Sequence, residues 1–158
     1  MNITVISVGK IKEKYFTAAI GEYSKRLSRF AKLNIIEVAD EKIPDNASEK
    51  EMEQIKEKEG NKILAKLPQN SFVVTLCIEG KEHSSEELAK KIADISMTSS
   101  HITFIIGGSL GLSDTVKSKS ALRLSFGKMT LPHQLMRVVL LEQIYRAFKI
   151  NNNESYHK

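Results

Sequence analysis

The chain runs from Ile102-Thr103-Phe104-Ile105-Ile106 directly into the glycine-rich segment Gly107-Gly108-Ser109-Leu110-Gly111. A short apolar run of this kind is typical of a strand that is covered on both faces. In an open α/β sheet, ligands bind beyond the carboxyl ends of the strands, where glycines let the backbone approach them closely. The segment therefore predicts either a ligand-binding turn or a tight turn that only reverses the chain. Its spacing matches neither the dinucleotide fingerprint nor a P-loop.

The segments before this strand alternate between two periodicities. Apolar, β-branched runs predict three earlier strands, at residues 2–8, 33–38 and 71–78. Apolar residues at helical spacing predict helices at 15–30 and 49–67, and Ser84 with Glu87 predicts a capping box for a third helix. This order indicates an α/β fold with a mostly parallel sheet flanked by helices. Because no linker or repeat interrupts it, we expect one domain over residues 1–158.

The C-terminal third contains a short helix near 113–119, a strand at 122–126, a loop at 127–132 and a helix from His133 to about Phe148. This last helix is apolar almost all round, so it must be covered on several sides, either by the rest of the chain or by a second subunit. Asn151, Asn152 and Asn153 are not expected to extend it. The tail that follows is expected to fray unless its Tyr156 and His157 bind RNA.

Composition narrows the function classes. The net charge of +5 is compatible with a polyanionic partner, although many lysines alternate with glutamates on a solvated helix face. No apolar run approaches the roughly 20 residues of a membrane helix. The single Cys77 lies within an apolar run, which favours a buried thiol and a cytoplasmic location. Four dispersed histidines and one cysteine provide no recognisable metal-ligand spacing, so no metal is expected.

His133 and Arg137 are four residues apart and therefore share one face of the last helix. A histidine alone there would ordinarily be a core residue. An imidazole and a guanidinium together are costly to bury without partners, and the adjacent Gly/Pro loop favours a functional site. Arg137 could instead be satisfied structurally, by a carboxylate such as Glu142 of a neighbouring subunit.

Four motifs together resemble one known family over essentially the whole chain. They are Ile105-Ile106-Gly107-Gly108-Ser109-x-Gly111-Leu112, Met129-Thr130-Leu131-Pro132-His133-x-x-x-Arg137-Val138, Glu142-Gln143-x-Tyr145-Arg146-Ala147 and Tyr156-His157. The chain is similar to the 23S rRNA pseudouridine N3-methyltransferases, the RlmH family of the SPOUT class. That resemblance implies a C-terminal deep trefoil knot, a homodimer formed through the knot, S-adenosylmethionine as methyl donor, and 23S rRNA of the assembled ribosome as substrate.

The resemblance also implies site residues. The donor is expected to be held by Leu76, Gly108 and the loop formed by Gly127, Lys128, Met129, Thr130, Leu131 and Pro132. His157, or else His133, is expected to assist removal of the N3 proton, with Arg137 orienting the base or stabilising the developing imidate, and Tyr156 stacking on a nucleotide. Ser155 stands where proline is common in relatives, which predicts a looser tail.

Three other functions are compatible with parts of this pattern. A non-catalytic ribosome- or RNA-binding protein of the same fold would tolerate substitutions at Gly108 and Pro132. A tRNA methyltransferase of this fold usually carries an added RNA-binding domain, for which this chain has no room. A generic nucleotide-binding enzyme is disfavoured because the phosphate-binding fingerprints are missing.

Overall fold

A computed structural model describes residues 1–158 as alternating strands and helices. In chain order they are β1 (Asn2–Val8), α1 (Lys14–Leu27), β2 (Lys32–Val38), α2 (Glu49–Lys66), β3 (Phe72–Glu82), α3 (Ser85–Ser96), β4 (His101–Ile106), α4 (Asp114–Ser118), β5 (Leu122–Ser125) and α5 (His133–Asn151). The strands pair in parallel in the order β2-β1-β4-β3-β5. The predicted α/β fold is confirmed. The trefoil knot is not tested by this pairing and stays a prediction.

Successive residues of a strand point to opposite sides of the sheet. Helices cover both of these sides, and each side has its own apolar cluster. Ile3 and Phe104 belong to a 17-residue core cluster that includes residues of α1, α3 and α5. Ile6 and Ile105 belong to a 9-residue cluster on the other face, with Ile63 of α2. Strands β1 and β4 are buried along almost their whole length, as their unbroken apolar sequences predict.

Helix α2 is predicted to lie on the surface with few apolar anchors, and the structure buries one narrow face of it. The N-terminus is fixed by a capping box between Ser48 and Glu51. Along the buried face, Ile55, Glu59 and Ile63 recur every four residues and are each less than a tenth exposed. A carboxylate thereby lies inside the protein on an otherwise apolar face.

Two elements extend further than predicted. Strand β3 continues to Glu82 because Lys81 and Glu82 pair with β5 beyond an irregularity in the register. Helix α5 continues to Asn151, whose side-chain amide donates a hydrogen bond to the carbonyl oxygen of Ala89 over 2.9 Å. This contact with α3 stabilises the last turn of the helix, so α5 includes the first of the three asparagines. The local sequence does not indicate the contact.

The expectation that the tail frays is wrong. The Tyr156 ring packs edge-on against Tyr145 at a centroid distance of 5.0 Å, and its hydroxyl donates to a Glu142 carboxylate oxygen over 2.7 Å. The guanidinium of Arg146 lies 4.7 Å from the centre of the Tyr156 ring. Aromatic and cation–π contacts hold the tail against α5 without the proline at position 155.

Helix α5 buries Leu140, Leu141 and Ile144 in the core. Leu135, Val138 and Val139 remain only half-buried, so part of its apolar surface is left uncovered by this chain. None of the helices combines the length and the apolar character that a membrane crossing requires.

Candidate functional site

A cavity of about 800 Å³ lies at the carboxyl ends of β4 and β5 and beside the middle of β3, at residues 76–79, and we call it the edge pocket. Its volume is within the range typical of small-molecule sites. Of the eight residues expected to hold a donor, seven line it: Leu76, Gly108, Gly127, Met129, Thr130, Leu131 and Pro132. Lys128 belongs to the same loop but does not line the cavity. The site lies where ligands bind in open α/β sheets.

The glycine turn at residues 107–111 forms one wall of the edge pocket. The Gly111 N–H donates to the Gly108 carbonyl over 3.0 Å, which closes the turn. A Cβ atom on Gly107 would lie 2.7 Å from the carbonyl carbon of Gly111, and Gly111 itself has a φ of +85°. Both positions therefore require glycine. The turn reverses the chain and also lines a cavity; that it binds a ligand stays a prediction.

The loop at 127–132 forms the opposite wall. The Ser125 hydroxyl anchors it by donating to the Ile78 carbonyl over 2.8 Å and accepting from the Gly127 N–H over 3.1 Å. Met129 is 86% exposed and Leu131 is 37% exposed, so apolar side chains stand at the mouth of the pocket. Such exposed apolar groups are typical of a surface that a ligand or partner covers.

A second cavity of about 570 Å³ lies on the other side of the glycine turn, and we call it the carboxylate pocket. It is bordered by the ends of β1 and β2 and by α2, and it shares Gly108, Ser109, Leu110 and His133 with the edge pocket. The residues after β2 contribute Asp40 and Glu41. Sequence reasoning did not predict this pocket, because its walls come from five separate segments.

His133 stands between the two cavities at the start of α5. Burial, together with the nearby positive charge of Arg137, lowers the pKa of this imidazole, so it is neutral at pH 7. Its Nδ1 atom is buried without a hydrogen-bond partner. A neutral imidazole with a free ring nitrogen can exchange a proton with a bound molecule.

Arg137 is 3% exposed and bound within its own chain. Its Nη1 donates to Glu37 over 2.6 Å, and its Nη2 donates to the carbonyl oxygens of Val8 and Gly9 over 2.9 and 2.8 Å. Glu37 thus pairs with Arg137 within one chain, where Glu142 binds Arg146 and Tyr156 instead; the suggested pairing with Glu142 of a neighbouring subunit stays a prediction. The guanidinium ties α5 to the ends of β1 and β2 and lines neither pocket.

Tyr156 and His157 lie together but line neither cavity. The His157 ring nitrogens lie 3.1 Å from Arg146 Nη1 and 2.7 Å from a Glu86 carboxylate oxygen. Burial and the hydrogen bond to Glu142 raise the pKa of Tyr156 to about 12, so its phenol is neutral at physiological pH. Most of the predicted site residues thus lie at the pockets, Tyr156 and His157 lie at the tail, and Arg137 and Lys128 line neither cavity.

Glu59 is a polar residue at this site that sequence reasoning missed. Its side chain is 5% exposed, and its Oε2 accepts the Glu41 backbone N–H over 3.0 Å. A Cβ atom on Gly108 would lie 3.3 Å from its Oε1, so the carboxylate is packed against the glycine turn. Burial raises its pKa above the ordinary value. The signal was available, since a glutamate between isoleucines at i−4 and i+4 predicts a buried carboxylate.

Known proteins match the chain over its whole length. A family model described as "Predicted SPOUT methyltransferase" matches residues 1–157. A Methanococcus maripaludis protein named "Putative ribosomal RNA large subunit methyltransferase H" is 64% identical, and the Clostridioides difficile ribosomal RNA large subunit methyltransferase H is 60% identical, each over 100% of both chains.

Two solved structures have a similar fold at low sequence identity. A probable methylase family protein from Haemophilus influenzae has a TM-score of 0.53 and 14% identity, and the match covers 99% of this chain and 70% of that one. A Legionella pneumophila "putative methyltransferase", solved with the bound cofactor SAM, has a TM-score of 0.51 and 13% identity, with 94% and 66% covered.

Proposed function

The chain belongs to the SPOUT methyltransferase family, and on that basis we propose that it transfers a methyl group from S-adenosylmethionine to ribosomal RNA. The acceptor in this proposal is N3 of a pseudouridine in 23S rRNA of the assembled ribosome, in the cytoplasm. The observation that supports it most is the edge pocket, which gathers seven of the eight expected donor-binding residues at the carboxyl edge of the sheet.

The edge pocket has the chemistry that an adenosine-containing donor requires. Leu76, Ile106 and Phe126 offer an apolar surface for a flat purine ring. The glycine turn and the loop at 127–132 offer backbone groups for its polar edge. When bound, S-adenosylmethionine supplies an electrophilic methyl group on a sulfonium. The absence of a Cβ on Gly107 and Gly108 lets the turn pack closely against Gly111, Val8 and Glu59, which keeps this wall of the pocket in place.

The remaining task of the chain is to align the acceptor and remove its proton. Positioning of two reactants can lower a barrier by about 7–11 kcal/mol in favourable systems. The N3–H of the acceptor is an imide proton that must leave before or during attack. We propose His157 as the group that accepts it and His133 as the alternative, since each is an imidazole. Tyr156 stacks on a nucleotide, and Arg137 acts as a positioning residue that holds α5 against β1.

The proposed roles of Tyr156 and His157 require a second copy of the chain. Neither residue lines a pocket of its own chain. The half-buried apolar face of α5, with Leu135, Val138 and Val139, is available to a partner. We therefore propose a homodimer in which the tail of one copy serves the edge pocket of the other.

Transfer of a labelled methyl group to ribosomes that lack the modification tests the function. We expect label on N3 of a pseudouridine, identified by mass spectrometry of the digested nucleosides, and much weaker labelling of naked 23S rRNA. Donor binding without any label on ribosomes would point to a different RNA. Absence of donor binding would favour the non-catalytic RNA-binding protein.

The role of the tail is tested by subunit mixing. The His157→Ala variant is expected to lose single-turnover activity across about pH 6 to 9, since a general base contributes roughly 10²–10⁴-fold. A Gly108→Val variant is expected to lose donor binding, because its side chain would meet Val8 and Glu59. Mixed dimers of the two contain one intact composite site, so roughly a quarter of the sites regain activity after random exchange. A tail that serves its own pocket gives no recovery.

A further inference from the structure

The carboxylate pocket has no role in the donor site, yet it is built from polar groups. Its walls carry four carboxylates. Glu37 is paired with Arg137 and Glu41 with Lys62, at 2.6 and 2.9 Å. Glu59 forms no salt bridge, and its Oε1 accepts no hydrogen bond from the chain. The structure thus leaves one carboxylate oxygen of a buried residue beside the cavity without a partner from the chain.

Other polar atoms around this cavity also lack partners. His133 Nδ1 and Gln134 Oε1 are both buried without a hydrogen bond, and both residues line the pocket. Buried polar groups are nearly always hydrogen-bonded in folded proteins. Lys10 and Lys12 stand exposed at the rim, where ammonium groups can meet phosphates. Exposed lysines at the rim and polar residues along the walls suit a nucleotide whose base enters the cavity.

We propose that the carboxylate pocket binds the acceptor base and that Glu59 identifies it as pseudouridine by accepting a hydrogen bond from its N1–H. This inference rests on the function proposed above. Pseudouridine carries ring N–H groups at N1 and N3, whereas uridine turned the same way presents a C5–H in place of N1–H. A carboxylate oxygen held against the ring therefore distinguishes the two nucleosides.

The position of Glu59 is compatible with methyl transfer to N3 as well as with recognition of the N1–H group. Its carboxylate is packed against Gly108, and Gly108 lines both pockets. N1 and N3 of the base are separated by a single carbon. A base held at N1 beside Gly108 therefore has its N3 close to the residues that the two pockets share. Glu59 is a specificity-determining residue in this arrangement and transfers no proton.

The Glu59→Gln variant tests the inference on two substrates. Glu59 Oε2 accepts the Glu41 N–H, so the amide oxygen of glutamine keeps that bond and turns its NH₂ toward the base. Two donors then face each other when the base is pseudouridine, but not when it is uridine. We expect kcat/KM for ribosomes with pseudouridine to fall about 10- to 100-fold, the magnitude of a hydrogen bond to a charged group. The rate on ribosomes with uridine at that position is expected to change less than about threefold.

Donor affinity and a matched variant complete the experiment. The Kd for S-adenosylmethionine, measured by calorimetry, is expected to be unchanged in Glu59→Gln. Glu57→Gln makes the same chemical change two residues away, at a side chain that contacts Thr115 outside both pockets, and is expected to behave as wild type. An equal loss on both ribosomes, or a matching loss of donor affinity, would overturn the inference in favour of a structural role. A wild-type protein that methylates neither ribosome would instead refute the proposed function itself, and this inference with it.

Discussion

Replacing Gly107 with alanine is expected to abolish binding of the methyl donor. The new Cβ would lie 2.7 Å from the backbone carbonyl carbon of Gly111 and 2.9 Å from its oxygen. Backbone atoms cannot move aside as a flexible side chain can, so the glycine turn must open. Because that turn forms a wall of the edge pocket, we expect the Kd for S-adenosylmethionine to rise at least about 100-fold, equivalent to about 2.7 kcal/mol of binding free energy.

Gly21→Ala is the matched control for this prediction. Gly21 lies within α1, and no atom lies within 4 Å of the position its Cβ would occupy. Alanine in the interior of a helix is about 0.5–1 kcal/mol more favourable than glycine, so this variant is expected to be slightly more stable and to bind the donor normally. A Gly107→Ala protein that binds the donor as tightly as Gly21→Ala would show that the turn is not part of the donor site.

Replacing Arg137 with methionine is expected to destabilise the protein by about 3 kcal/mol, the lower end of the cost of breaking a buried ion pair. The variant keeps the apolar stem but removes every hydrogen bond to Glu37, Val8 and Gly9. The Glu37 side chain is 38% exposed, so water compensates part of the loss there. The destabilisation is measured as the difference in free energy of unfolding between wild type and variant, from unfolding in urea. Arg137→Lys is expected to recover only part of it, since one ammonium group cannot replace the fork of the guanidinium.

Lys90→Met provides the comparison for a pair in solvent. Lys90 and Asp94 are joined over 3.5 Å with side chains that are 80% and 58% exposed. Exposed pairs contribute about 0–1 kcal/mol, so this variant is expected to unfold at nearly the wild-type urea concentration. An Arg137→Met protein as stable as Lys90→Met but inactive would contradict the positioning role and indicate direct contact with the base.

Local patterns in the sequence were sufficient to predict the strands and the edge of the sheet at which a ligand would bind. The apolar run before Gly107 must be a buried strand, and a glycine-rich turn after such a strand lies at the ligand-binding edge. The seven lining residues, however, were expected because the chain resembles a known family. Spacing alone left the turn ambiguous between a binding site and a simple reversal.

Contacts between distant segments could not be predicted. Arg137 and Glu37 are 100 residues apart in sequence, and nothing near either residue indicates the other. The tail is polar and locally unremarkable, but Tyr145 and Glu142 of α5 hold Tyr156 in place. In both cases the stabilising contacts form only when distant segments come together in the folded chain, so the sequence near each residue does not indicate them.

The glycine turn separates two cavities, and this arrangement has a thermodynamic consequence. Gly108 belongs to both walls, with the edge pocket on one side and Glu59 on the other. An occupant that shifts the turn toward one cavity changes the space available in the other. Linkage requires the effect to be reciprocal: the factor by which the first ligand alters the affinity for the second equals the factor by which the second alters the affinity for the first. Any cooperativity between the two cavities would thus pass through this five-residue turn, and it would be the same in whichever order they fill.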